Sequence, residues 1–215
     1  MATRLDETTT GPAPGHAADT PLRLTAAAQD LLFRQARSPT EFTDDPVSDE
    51  QLAAIYDLVK YGPTSCNEQP LRMVVIRSPE ARARLLPHLD DRNRARTTAA
   101  PLPVILAADL NYHEKLPTVF PHATGLREIL EDQPEYRAEE ARYNALLQIG
   151  YLIVGVRAAG LGAGAMTGFD AEGLDREFFP DGGRRSLLVM NIGIPLRKRY
   201  PRLPRLPYHE VATVL

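Results

Sequence analysis

Apolar residues recur at helical spacing most clearly after Ser48, where Leu52, Ile55, Tyr56 and Val59 fall at i, i+3, i+4 and i+7 and share one face. Ser48-Asp49-Glu50-Gln51 is a capping box in front of them, Val47 is placed to staple onto Leu52, and Gly62-Pro63 ends the helix. An earlier helix is predicted from its N-cap Thr25 to near Arg37, where Ser38-Pro39 breaks it. Short apolar runs mark buried strands at residues 73–76, 103–107 and 186–194. Ser78-Pro79-Glu80 opens a helix with proline at its first position, and residues 170–179 read as a short helix. Residues 139–159 form one helix that is apolar nearly all round from Leu146 to Val156. That pattern predicts burial on every side, at the centre of the fold or at a subunit interface.

Residues 109–140 are poorly periodic and carry prolines at 117, 121 and 134, an excursion of the type that covers a site. Residues 1–24, rich in Thr, Ala, Pro and Gly, are expected to be a mobile tail ahead of one domain, 25–215. Because helices and strands alternate irregularly, a layered mixed α/β or α+β domain is favoured over a Rossmann sheet. The run GLGAGA (Gly160, Gly162, Ala165) matches the dinucleotide fingerprint in letters but follows an apolar helix instead of a strand. It therefore reads as a glycine-rich helix end and turn.

Composition narrows the function classes. A length of 215 residues holds one domain or two small ones, and 25 Lys+Arg against 28 Asp+Glu gives a net charge of -3, which argues against a nucleic-acid partner. The single cysteine, Cys66, cannot form an internal disulfide framework, and the N-terminus has no apolar signal region, so a cytoplasmic setting is expected. The longest uncharged apolar segment is too short to span a membrane. Five histidines at 16, 88, 113, 122 and 209 show no metal-ligand spacing, so no metal is expected. Cys66 reads as a small side chain beside a polar loop, with a nucleophilic role as the alternative.

Charge is sorted even though it balances. Between Asp181 and Glu210 lie Arg184, Arg185, Arg197, Lys198, Arg199, Arg202 and Arg205 with no acid. Of the 19 prolines, an excess, Pro201, Pro204 and Pro207 stiffen the end of this stretch, RLPRLP, and polyproline geometry would place Arg202 and Arg205 on one side. Two guanidiniums on a stiff strap suit a phosphate, and a solvated charged face is the plainer alternative. A second polar cluster, Gly62-Pro-Thr-Ser-Cys-Asn-Glu-Gln-Pro70, precedes a buried strand. It is either a turn-rich connector or a loop that reads polar ligand edges.

Together these segments resemble the FMN-dependent nitroreductase family. The loop at residues 62–70 is similar to the family's P-S-S-x-N-x-Q-P flavin loop. Ala36-Arg37-Ser38 resembles its phosphate signature, and Asn93 ahead of Ala100-Pro101 sits where an asparagine meets the isoalloxazine. Met166-Thr167-Gly168-Phe169-Asp170 resembles the segment that meets flavin N5 and O4, and the strap ending at Arg205 resembles the C-terminal phosphate arm. Within the family, YGPTS, Val119-Phe120-Pro121-His122, MTGFD and PRLPRLP look most like the malonic semialdehyde reductase (RutE-type) branch.

The resemblance implies an α+β fold: a three-layer α-β-α sandwich with a mixed, mainly antiparallel central sheet, in a homodimer with flavins at the subunit interface. It implies FMN and NAD(P)H as cofactors, with phosphate contacts from Arg37, Ser38, Arg202 and Arg205. Ring contacts would come from Thr64, Ser65, Asn67, Asn93, Thr167 and Gly168, with Phe120 and His122 covering a small-molecule substrate. Hydride would pass through flavin N5 in ping-pong order, with no side chain acting as nucleophile. The implied acceptor is a small aldehyde such as malonic semialdehyde, giving 3-hydroxypropionate. Nitroaromatic, quinone or enone reduction and non-catalytic flavin binding are the alternatives. The chain departs from the pattern at Ala36, where the family's first signature arginine stands, and at Thr40, which often carries a cation facing flavin N1 and O2. Arg37 is the candidate replacement.

Overall fold

The computed structural model describes residues 22–196 and 201–215. Residues 1–21, which make up most of the expected tail, and the cations Arg197, Lys198 and Arg199 lie outside them. Thr25 Oγ1 accepts from the Ala28 N–H (3.2 Å) and starts α1 (Ala26–Gln29). The chain then widens into a π-helical turn over Asp30–Arg34, so the helical path stops short of Arg37. The capping box at Ser48 forms in both directions and opens α2 (Asp49–Val59). Next come β1 (Leu71–Val75), α3 (Pro79–Leu85) with proline in its first turn, α4 (Asp91–Thr98) and β2 (Leu102–Asp109). Arg82 closes the end of α4 by donating Nη1 to the carbonyls of Thr97 (2.8 Å) and Ala100 (2.7 Å).

The excursion at 109–140 contains α5 (Leu116–Val119) and α6 (Leu126–Glu131) and runs into α7 (Pro134–Ala158). α7 therefore begins five residues earlier than the apolar pattern predicts, with Pro134 in its first turn. Gly160 adopts φ 75° just past the helix end, and an edge strand follows, β3 (Gly162–Met166). This corrects the reading of that stretch as a turn. The glycines hid a strand because a neighbouring segment passes close over it: a Cβ on Gly162 would come within 2.6 Å of Pro39, and one on Gly164 within 2.9 Å of the Pro39 carbonyl. The chain continues through α8 (Ala171–Phe178) and β4 (Arg184–Gly193) and, where an extended end is expected, ends in the short α9 (Tyr208–Val211).

The strands form one sheet in the order β1-β2-β4-β3, every pairing antiparallel. β2 is buried on both faces, and its alternation sorts the layers. Leu102, Val104 and Leu106 pack with Ile55 of α2 and Ile149, Leu152 and Val156 of α7, while Ile105 and Ala107 pack with Leu85 of α3 and Leu174 of α8. Helices thus cover both faces, which is the expected α+β sandwich; each fully buried leucine contributes about 1.5–3 kcal/mol of hydrophobic stabilisation. α7 is not buried on every side within one chain. Ala141, Asn144, Ala145, Ile149, Leu152, Gly155 and Val156 face inward, while Tyr143, Leu146, Leu147 and Tyr151 stay exposed. Among the described residues no helix is long and apolar enough to cross a membrane.

Candidate functional site

Two separate polar groups stand at different heights on α7. The first surrounds its C-terminal end. A cavity of about 760 Å³ is lined by Phe33, Ala36, Arg37, Ser38, Arg157, Pro201, Arg202, Leu203 and Arg205, which puts four arginines and no carboxylate around one space. A second cavity, of about 550 Å³, shares Ala36, Arg37 and Arg157 and extends past Gly162 to Pro195. Volumes of this size suit a small-molecule ligand.

The arginines differ in how far they are already committed. Arg202 Nη2 donates to the carbonyls of Phe33 (3.0 Å), Arg34 (2.5 Å) and Ala36 (2.7 Å), so it closes the π-helical turn and ties the strap to it. Arg202 also lines the cavity, so its expected phosphate contact would be made by a guanidinium that already anchors the strap. Arg205 only meets carbonyls of its own strap, Leu203 (3.1 Å) and Pro204 (3.0 Å). Arg157, which sequence reasoning missed, donates Nη1 to Leu32 O (3.1 Å) and buries its Nε without a partner among the described residues. Partial burial, then the facing Arg202 charge, lower its pKa, as expected where like charges crowd without a counter-ion. A dianion with several acceptor oxygens would relieve that crowding. Arg157 was hidden because helix C-termini commonly carry a basic residue for dipole reasons alone.

The ring-edge candidates of this half also converge. Asn93 Nδ2 donates to Gly168 O (2.9 Å), which joins α4 to the segment after β3. Any Cβ on Gly168 would collide with the Asp90 carboxylate and lie 2.7 Å from Asn93 Nδ2, so only glycine fits. Thr167 beside it is exposed. Thr40 lines a further cavity, of about 490 Å³, together with Arg96 of α4. Arg96 stands three residues after Asn93 and so shares its helix face. It supplies a cation next to the position where Thr40 lacks one. That i, i+3 spacing was readable in the sequence.

The second group lies near the middle of α7. The loop at 62–70 makes a tight turn over Ser65–Asn67, with Cys66 (φ 46°), Asn67 (φ 53°) and Gln69 (φ 48°) in the left-handed region that L-residues rarely occupy. It is built into the fold: the Ser65 N–H donates to Asn144 Oδ1 (2.8 Å) and the Gln69 N–H to Thr64 Oγ1 (3.2 Å). Gly62 lies against the Tyr151 ring, where a Cβ would sit 2.8 Å from its Cγ. Asn67 is spent inside the chain, donating Nδ2 to Val119 O (2.7 Å) and accepting at Oδ1 from Gln69 Nε2 (2.9 Å). Its visible role is to shape the loop. The bond to Val119 brings Phe120 and His122 beside the loop, their rings edge-on with centroids 6.2 Å apart.

Behind the loop, Glu68 is buried, 5% exposed, and accepts from Asn144 Nδ2 (2.9 Å). Burial, then the nearby Glu140 carboxylate, push its pKa up to about 7. The Tyr112 hydroxyl faces it, and burial, then the Glu68 and Glu140 charges, raise the pKa of that phenol and keep it protonated. Among the described residues no group of three or more His, Cys, Asp or Glu side chains is arranged to hold a metal ion.

Asn144 holds the loop and Arg157 lines the cradle; 13 residues of α7 separate them, about 20 Å along its axis. One chain therefore brings Arg37, Ser38, Arg157, Arg202 and Arg205 around one cavity, and sets Asn93 against Gly168, next to Thr167. It brings Thr64, Ser65, Asn67, Phe120 and His122 together elsewhere.

Comparison with known proteins identifies the family. The chain is 53% identical over 195 residues to a Streptomyces coelicolor protein provisionally named NADH dehydrogenase/NAD(P)H nitroreductase, covering 90% of this chain and 99% of that one. The fold matches an Exiguobacterium sibiricum nitroreductase solved in complex with FMN (TM-score 0.72, 20% identity, 86% of this chain and 95% of that one). It also matches a Staphylococcus epidermidis protein described as an NAD(P)H:FMN oxidoreductase (TM-score 0.75, 20% identity, 91% and 99%). Residues 33–194 match the family model described as the Nitroreductase family, and the chain belongs to that family.

Proposed function

We propose that the protein is an FMN-dependent NAD(P)H oxidoreductase that works as a homodimer, each flavin lying between the arginine cradle of one copy and the 62–70 loop of the other. The division of the site carries this reading. FMN has a dianionic phosphomonoester at one end and a flat ring with a polar edge at the other. The two groups that suit those ends are separated in one chain by more than the short ribityl linker reaches. The exposed apolar stripe Tyr143, Leu146, Leu147 and Tyr151 on α7, with Tyr56 and Leu58 on α2, is the surface a second copy would cover.

Bound FMN would supply two-electron hydride chemistry, linking oxidation of NAD(P)H to reduction of an acceptor. The chain supplies binding, orientation and electrostatics. Arg37, Arg157 and Arg205 take the phosphate with Ser38, while Arg202 holds the strap that carries Arg205. Asn93, Thr167 and Gly168 would hold the ring edge, and Arg96, which shares a cavity with Thr40, would supply positive charge to it. From the other copy, Thr64, Ser65 and Asn67 present the pre-shaped loop, and Phe120 and His122 cover the acceptor. A carbonyl acceptor also needs polarisation and a proton at oxygen, which water or the exposed Ser65 hydroxyl delivers.

The proposed acceptor is a small aldehyde acid, malonic semialdehyde, reduced to 3-hydroxypropionate in the cytoplasm; the YGPTS, VFPH, MTGFD and PRLPRLP segments support it. Nitroarene or quinone reduction is the second reading, favoured by the naming of the 53% identical relative. Purified protein should be yellow, elute as a dimer and oxidise NAD(P)H when an acceptor is added. Turnover of malonic semialdehyde against a nitroarene decides between the acceptors. Protein that stays colourless with added FMN would overturn the flavin reading, and yellow protein inert towards NAD(P)H would indicate a flavin-binding protein without catalysis.

A further inference from the structure

We propose that Asn144 is the positioning residue of the ring-facing loop, gripping it from behind through the Ser65 N–H and the Glu68 carboxyl. The inference rests on the reading of that loop as the one facing flavin. Asn144 is fully buried in α7. Its side-chain amide uses both ends on the loop: Oδ1 accepts from the Ser65 N–H (2.8 Å), and Nδ2 donates to Glu68 Oε2 (2.9 Å). Nδ2 also reaches Glu140 O (3.0 Å) and Glu140 Oε2 (3.4 Å), so two carboxyl groups share one amide. The gripped residues bracket Cys66 and Asn67, which are held at positive φ. Left-handed backbone at non-glycine residues persists only where surrounding contacts impose it. Asn144 makes two such contacts, one on each side of the strained pair.

The grip depends on charge. A buried amide donor is bound more strongly by a carboxylate than by a neutral carboxyl. Glu140 and Glu139 of α7, the Tyr112 hydroxyl, the Tyr136 hydroxyl and the Cys66 thiol surround this cluster, and Arg72 and Lys115 share a cavity with Glu68. Arg72 is already paired with Asp109 (2.7 Å). With no cation among the described residues bonded to it, Glu68 exchanges its proton near neutral pH, against an ordinary value of 4.5. The loop should register that exchange through Asn144.

A polarity swap tests the assignment. Asn144→Asp keeps an acceptor for the Ser65 N–H but removes the donor, leaving three carboxyl groups together. At pH 8 the Ser65 amide, followed by hydrogen exchange in the dimeric protein, should exchange about 10- to 100-fold faster than in the wild type, the scale of one lost buried hydrogen bond. Adding Glu68→Gln returns a donor from the other side, so the double variant should recover most of the protection. FMN affinity should follow the same order. Ser65 protection unchanged in Asn144→Asp, or a double variant no better than Asn144→Asp alone, would overturn the assignment. If Asn144→Asp does not fold, the Ser65 amide resonance in wild type should shift with pH near neutrality and stop doing so in Glu68→Gln. A Ser65 resonance with the same pH profile in both would also overturn it. If the Ser65 results hold while even the wild type takes up no FMN, the flavin reading fails and Asn144 still positions the loop.

Discussion

The two ends of the site are built on opposite principles. At the end of α7, four arginines surround an open cavity with little holding Arg157 and Arg205 apart from backbone carbonyls, so the cradle keeps spare positive charge. At the middle of α7, the loop commits Thr64, Asn67, Glu68 and Gln69 to bonds within itself, to Val119 and to Asn144, so its shape is set by the chain's own contacts. A charge can be stabilised by several imperfect donors, whereas a ring edge needs donors at fixed positions. The first end can be adaptable; the second must be made in advance.

Perturbations separate the two ends. The largest effect is expected from splitting the proposed dimer, because neither end would then have its complement: Leu147→Asp with Tyr151→Asp on the exposed face of α7 should yield monomers that lose FMN, read by sedimentation and visible absorbance. Next, Arg205→Ala or Arg157→Ala should each weaken FMN binding by about 2–3 kcal/mol, since charge-assisted bonds to phosphate are lost. Riboflavin, which lacks the phosphate, should bind these variants as it binds wild type, and a matching loss for riboflavin would argue against a phosphate cradle. The loop end should instead respond to pH. Glu68 has a folded pKa of about 7 against an ordinary 4.5, so its contribution to stability is full below about pH 4.5 and is lost as pH rises through 7. Denaturant unfolding of Glu68→Gln should therefore gain on the wild type by about 1–2 kcal/mol between pH 5 and pH 8, allowing for solvent screening. The smallest effect belongs to Arg202→Gln, which should cost about 1 kcal/mol in folding and loosen FMN only slightly, because that guanidinium is occupied by carbonyls.

The same contrast explains what the sequence made visible. The cradle was legible because unpaired charge in an acid-free stretch is conspicuous in composition, and Arg37 and Arg205 both line it. Even there the strap-anchoring role of Arg202 was hidden, since its acceptors are carbonyls of residues 33–36, which no side-chain pattern reports. The Ser48 capping box and the buried strands followed from local rules and formed as expected. β3 did not, because its glycines answer to Pro39 passing overhead and not to strand propensity. Asn144 was silent for a similar reason. A single polar residue in an apolar helix has no signature until the fold sets Ser65 and Glu68 against it.

The placement of loop and cradle at different heights on α7 has a genetic consequence. If each site draws its halves from different copies, a copy damaged only in the cradle and a copy damaged only in the loop complement each other when paired. The mixed dimer holds one site in which both defects meet and one in which neither is present, so two inactive chains co-expressed would regain activity that neither shows alone.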